Sequence, residues 1–538
     1  MLDWIIKNGW CYDGLGNPPM VADIAVQGDR IVRVGPGIDA PARAVYDAQG
    51  KAVIPGLIDP HVHEEWVCLV DGRYELFLRQ GVTTVINGNC GHSILPGPLE
   101  NIIAYYFGNG LMSERQRDVY AGRFPRWDDF EGYARAVAAK GTNLNLVTLL
   151  GHGTIRWTVM QGAHPRKPDA GEAARIEAII RQGMDQGMFG LSFGLDYVPS
   201  RYADIDELCA MTALIKDYGG VCVAHLRHYA GIEQATAEYV QVGRRTGAKL
   251  QFSHLPSAVP AAFDLVRDAV EREGLPLRVD TIPESCGHCV SKSRLIQFIM
   301  AVSDTLFAQG MDGVRRALHD PQGREVIRKE AYILGKNPRA VYIVRSQDAA
   351  LENRSVADIA ADRGADPFEC LLDLIGDDRD YTFWLNAPGA NLPDMFVPHC
   401  ESIVHNPYVS VGSDEILGDI EQPFDWYEVR RRGAFPLFAR QYLDKGVPYE
   451  EIVRRNTSMV ADHFGIAGRG RLCAGGYADV AVIDLQRYGF PPLRQQDYRT
   501  PQRMAEGCEL VLVNGAPALR DGRVETVYAG RVLRRGQL

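Results

Sequence analysis

Eight short apolar runs recur along the middle of the chain, most of them separated by helical patterns. In order they are "VIPGLIDPHVH", "VTTVINGNC", "LNLVTLLGH", "FGLSFGL", "GVCVAHL", "AKLQFSHL", "LRVDTIP" and "YVSVGSDE". Segments such as "GEAARIEAIIRQGMDQG" and "DIDELCAMTALIKDYGG" lie between them and carry apolar residues at helical spacing. Runs without polar alternation are expected where both faces of a strand are buried, as in a parallel sheet flanked by helices. Eight such units predict an α/β fold, a (β/α)8 TIM-like barrel. An open doubly wound sheet is the alternative, but no G-x-G-x-x-G follows the first strand.

The two ends read differently. "DWIIKNGWCYDG", "ADIAVQGDRIVRVG", "ADVAVIDL" and "CELVLVNGAPAL" alternate apolar and polar residues between Gly, Asn and Asp turns. Neither end holds enough strands for a good core alone. Residues 1–55 and 470–538 are therefore expected to pair into one small β-sandwich, with the barrel at 56–469. Between the seventh and eighth strands, about residues 284–407, the chain is too long for an ordinary connection. It looks helical and is expected to be a structured insertion, a lid or wall over the barrel mouth.

Composition narrows the function. The chain has 538 residues, 46% hydrophobic and 23% charged, with a net charge of −10. That suits a large globular enzyme, and no basic stripe marks a nucleic-acid partner. No apolar run reaches the roughly 20 residues that span a bilayer, and the first residues do not resemble a secretion signal. Eleven cysteines with scattered spacing suggest no disulfide framework, so a cytoplasmic location is expected. Cys286 and Cys289 form a C-x-x-C, but no second pair exists to complete a four-thiolate site.

The polar residues at the strand ends carry the chemistry. His61 and His63 alternate out of the first strand to the same side. Cys90 ends the second strand, His152 the third, His225 the fifth, His254 the sixth and Asp414 the eighth. Barrel enzymes gather their reactive groups at these C-terminal ends. Imidazole, thiolate and carboxylate are the ligands zinc takes, so His61, His63, Cys90, His225, His254 and Asp414 are the predicted metal set.

"GLIDPHVH", "GNCG", "GLSFGLDYVPSRYA", "AHLR", "FSHL", "GSDE" and the closing "GRGRLCAGGYADVAVIDL" resemble the amidohydrolase superfamily, and within it the N-acyl-D-amino-acid deacylase (D-aminoacylase) family. The resemblance implies one or two Zn2+ ions. Cys90, His225 and His254 would hold the tighter one, with Cys90 in place of a carboxylated lysine. His61, His63 and Asp414 would complete a weaker position. It implies cleavage of an amide C–N bond of a small molecule, with Asp414 moving the proton and His152 helping to polarise the carbonyl. A metal-dependent lyase or decarboxylase on the same scaffold is the competing chemistry. Relatives are often dimers or larger, so a homo-oligomer is compatible.

Where the family holds the substrate carboxylate, this chain departs from it. Pro256 replaces a lysine, Asp425 stands where an arginine is usual, and Ile282 and Glu284 replace tyrosines. These changes predict a neutral or cationic amide, or a cyclic amide, rather than a simple N-acyl-D-amino acid, because a like-charged pocket repels a carboxylate. The N-acyl-D-amino-acid deacylase proper remains the alternative. Tyr197, Arg227, His228, Glu284, Asp425 and Trp426 are the candidate substrate-binding residues.

Overall fold

The computed structural model describes residues 1–112, 117–118, 120, 122, 124–283, 288–301, 303–330, 339, 341–385, 395–415, 432–490 and 503–537. All eight runs expected to be strands are strands. They are Leu57–Asp59 (β1), Val82–Asn87 (β2), Asn145–Thr148 with Leu150–Gly151 (β3), Gly190–Gly194 (β4), Val221–His225 (β5), Lys249–Phe252 (β6), Leu277–Thr281 (β7) and Val409–Val411 (β8). Nearly every residue in them is buried, which is why their sequences do not alternate.

The strands pair in parallel and in chain order from β1 to β8. A parallel bridge between Val62 and Glu415 then returns from β8 to β1. There the His63 amide donates to the Glu415 carbonyl at 2.7 Å and the Asp414 amide to the His61 carbonyl at 2.9 Å. This seam brings the first and last strand ends, distant in the chain, side by side. Helices flank the strands with signals visible in sequence. The helix Ala170–Asp185, for instance, starts with a capping box between Asp169 and Glu172.

The chain ends meet in one sheet. Ala52–Pro55 pairs in parallel with Leu2–Cys11 and antiparallel with Val480–Ile483, which joins Cys508–Val513. Trp4, Ile6, Ile24, Val26, Val480, Val482, Leu510 and Leu512 share one core, so residues from both termini bury each other. Only Gly56 separates Pro55 in this sheet from Leu57 in β1. A Cβ at Gly56 would lie 2.1 Å from Thr83 Oγ1, so the crossing from one sheet to the next requires glycine.

The insertion differs from its expected helical character. Its helices enclose a four-stranded antiparallel sheet, whose middle strands are Tyr381–Leu385 and Tyr342–Ser346. It has its own core, including Leu295, Ile299, Val314, Ile343 and Phe383. The strand segments are short and sit among amphipathic helices, so the helical period dominates the sequence signal.

A buried polar knot ties the end sheet to the barrel. The Arg469 guanidinium pairs with Asp479 and donates to Asn514 Oδ1 at 2.8 Å. Asn514 donates to Asn145 Oδ1 of β3 at 2.8 Å, and its amide donates to Asp479 Oδ1 at 2.8 Å. All four residues are buried. Removing one member of such a pair leaves a buried charge unpaired, at a cost of roughly 3–5 kcal/mol. Arg469→Met is accordingly expected to reduce hydrogen-exchange protection in 480–483 and 508–513 well before the barrel strands lose theirs. Unchanged protection would show that the knot contributes little.

Candidate metal centre

Six donor atoms converge at the C-terminal strand ends. Cys90 Sγ lies 3.4 Å from His61 Nε2, 3.4 Å from His254 Nε2 and 3.8 Å from His225 Nδ1. His225 Nδ1 and His254 Nε2 are 3.0 Å apart. On the more open side Asp414 Oδ1 is 3.4 Å from His63 Nε2 and 3.7 Å from His61 Nε2. Ligands held by one tetrahedral zinc at 2.0–2.3 Å are about 3.3–3.8 Å apart, and the distances here fall in that range except for the closer His225–His254 pair at 3.0 Å. His61, Cys90 and His254 form one group that fits an ion, and His61, His63 and Asp414 form another. A soft sulfur with imidazoles and a carboxylate suits zinc.

The backbone is bent to achieve this. Cys90, His254 and Asp414 have φ of 53°, 31° and 52°, in the left-handed region that costs a side chain-bearing residue about 1–3 kcal/mol. The loop carrying Cys90 is anchored at several points. The Gly88 amide donates to Glu65 Oε1 at 2.6 Å, and the Gly91 amide donates to Ser192 Oγ of β4 at 3.0 Å. A Cβ at Gly194 would sit 1.9 Å from the Cys90 carbonyl oxygen, so the "GLSFGL" glycine makes room for the cysteine loop.

Charge is arranged to match. Burial alone would raise the Cys90 thiol, but the imidazoles of His61, His254 and His63 outweigh it and hold the thiol well below its usual range. Burial opposes protonation of His61, yet Asp280 and Cys90 together push it well above the usual value. Asp280 is a hub: Oδ1 accepts the His254 amide at 2.6 Å and lies 3.3 Å from His61 Nδ1, while Oδ2 accepts from Gln251 at 2.8 Å. The His61 contact is a close approach off hydrogen-bond alignment. Asp59 Oδ1 accepts the amides of His61 and Ser413, joining β1 to the Asp414 loop.

The predicted residues divide clearly. The six metal candidates come together. Tyr197 joins them, its hydroxyl 3.5 Å from His225 Nδ1, and the His228 ring lies 4.6 Å from that of His225. His152 Nδ1 pairs with Ser200 Oγ at 2.9 Å and its Nε2 with Glu207 Oε1 at 3.1 Å. Glu207 also binds Arg156, which makes His152 part of a buried brace at the start of its helix. Arg227 donates to the carbonyls of Arg201 and Ala203 and to Glu238. Glu284, Cys286, Asp425 and Trp426 lie outside the described residues.

Sequence reasoning missed three residues here. Asp196 lies 3.0 Å from His225 Nε2. His92 sits against Tyr197, with Nδ1 2.7 Å from the Tyr105 hydroxyl. Arg294, from an insertion helix, donates to the Tyr197 hydroxyl at 3.2 Å and brings a buried positive charge beside the centre. Asp196 was detectable, since it follows β4 at a strand end. Arg294 had no local signal.

Cys90→Ala is expected to abolish stoichiometric zinc in the purified protein, measured by elemental analysis. Gly194→Ala should weaken zinc binding at least tenfold by displacing the cysteine loop. Full zinc content in Cys90→Ala would exclude the cysteine as a ligand.

A model of the amidohydrolase family matches residues 44–533. The D-aminoacylase of Alcaligenes xylosoxydans xylosoxydans is 29% identical over 539 residues, 99% of this chain and 98% of that protein. The N-acyl-D-glutamate deacylase of the same organism is 28% identical over 534 residues, 97% of this chain and 96% of that one. A crystal structure of N-acyl-D-glutamate deacylase from Bordetella Bronchiseptica, complexed with zinc and a phosphonate inhibitor that mimics the tetrahedral intermediate, superposes with a TM-score of 0.72 at 25% identity and covers 99% of both chains. The chain belongs to the amidohydrolase family and is a metal-dependent hydrolase of carbon–nitrogen bonds.

Proposed function

We propose that this chain is a zinc-dependent hydrolase of an amide C–N bond in a small molecule, built as a (β/α)8 barrel (56–469) with an insertion near 284–407 and a β-sandwich from 1–55 and 470–538. The observation that carries the reading is the convergence of Cys90, His61, His225 and His254 at zinc-ligand spacing. Cys90, His225 and His254 would hold one ion and His61, His63 and Asp414 a second, with Cys90 Sγ near enough to His61 to lie between them. Bound zinc lowers the pKa of water to about 7 and polarises a carbonyl.

The chain's own groups supply the remaining chemistry. Asp414 stands on the open side of the cluster, 15% exposed, where Oδ1 can take a proton from the attacking water and return it to the departing nitrogen. Asp280 and Asp59 hold His61 and His254 in place. Tyr197 borders the centre with a hydroxyl that can orient a substrate oxygen. Among the described residues no helix is long and apolar enough to cross a membrane. The described cysteines are free thiols, which supports a reducing, cytoplasmic setting.

For the substrate, a buried Pro256 in place of a lysine supports a neutral or cationic amide or cyclic amide. A second reading, an N-acyl-D-amino acid, is favoured by the Arg294 guanidinium beside Tyr197 and by the relatives' activities. Assay of N-acetyl-D-amino acids beside their carboxamides and cyclic amides separates the two. Preference for the carboxamides supports the first reading, and clear preference for the free acids establishes the second. One amine and one acid per turnover are expected from an open-chain amide, and one ring-opened product from a cyclic amide. Asp414→Asn should lower kcat by about 10²–10⁴-fold in the same assay while zinc at Cys90 is retained.

A further inference from the structure

Beside the metal centre stand two side chains to which the hydrolytic reading gives no role, Asp196, just past β4, and His228, and both cluster with His225. Asp196 Oδ2 lies 3.0 Å from His225 Nε2 and 3.5 Å from His228 Nδ1. We propose that Asp196 is a positioning residue that fixes the tautomer and orientation of His225 for metal binding, with His228 as its brace.

The inference rests on the proposed zinc centre and follows from hydrogen-bond chemistry. An ionised carboxylate only accepts, so the nitrogen facing Asp196 must carry the proton. Nε2 of His225 therefore donates, and Nδ1 presents its lone pair to the point it shares with Cys90 Sγ and His254 Nε2. In the opposite tautomer an N–H would face that point and could not ligate. The charge of Asp196 also makes the imidazole a stronger donor to a metal.

Packing enforces the same orientation. The Tyr197 and His228 rings each lie 4.6 Å from the His225 ring, leaving it little room to rotate. The side chains of His225, Asp196 and His228 are only 10%, 16% and 11% exposed, so water competes weakly for the carboxylate. Asp280 approaches His61 Nδ1 in the same sense. Two carboxylates from opposite sides of the centre thus each face the outward nitrogen of one imidazole.

The test is zinc affinity by chelator competition on the full-length holoenzyme, together with the visible spectrum of the cobalt-substituted protein. Asp196→Asn keeps the shape and removes the charge. It is expected to raise the zinc Kd about 10–100-fold and to shift the cobalt bands, while the metal-free protein keeps the wild-type melting temperature. His228→Asn should raise the Kd less than about tenfold. Wild-type affinity and spectrum in Asp196→Asn would overturn the role. Should that variant fail to fold, the cobalt spectrum of His228→Asn decides: a shift supports the brace, and an unchanged spectrum overturns it. Loss of a whole zinc equivalent in His228→Asn would make the trio a metal site in its own right and overturn the positioning role. Wild-type protein that binds no zinc would defeat the proposed centre itself, a result distinct from the others.

Discussion

Lone pairs crowded into a space without water repel one another unless something positive stands among them. Cys90 Sγ and the inward nitrogens of His61, His225 and His254 are all buried and mutually within 3.8 Å along the contacts described. Such an arrangement is stable only around shared protons or a cation. Much of the surrounding architecture answers to that demand. Left-handed backbone at Cys90, His254 and Asp414 aims the side chains inward, and the Gly194 clearance lets the cysteine loop approach. The strain is held by parallel strands packed on both faces, a scaffold stiff enough to keep it.

What could be read in the sequence follows the range of the signal. Burial on both faces makes a strand uniformly apolar, so all eight parallel strands were visible. The residue at each C-terminal strand end was visible with them, and that was enough to assemble His61, His63, Cys90, His225, His254 and Asp414. Position at a strand end says nothing about which neighbour a side chain meets. His152 ends β3 as expected but is claimed by Ser200 and Glu207, and Arg227 is claimed by two carbonyls and Glu238. These partners come from other elements, and their geometry is set by tertiary packing. The charge pattern around the pocket was incomplete for the same reason, since Arg294 enters from the insertion.

The insertion and the end sheet solve different problems. The insertion carries its own core and places a guanidinium next to Tyr197, at the edge of the candidate centre. The end sheet lies on the other side of the crossing at Gly56 and is joined to β3 through Arg469, Asp479, Asn514 and Asn145. A buried ionic junction gains little in net stability over an apolar one, but it fixes register, because only one alignment pairs every group.

The sheet formed by both termini also constrains how the molecule is born. Ala52–Pro55 is made long before its antiparallel neighbour Val480–Ile483. Until then one side of the early strand stays open and its apolar face lacks the cover that Val480 and Val482 provide. The barrel seam between Val62 and Glu415 waits almost as long. Both closures therefore wait until segments far apart in the chain have all been made.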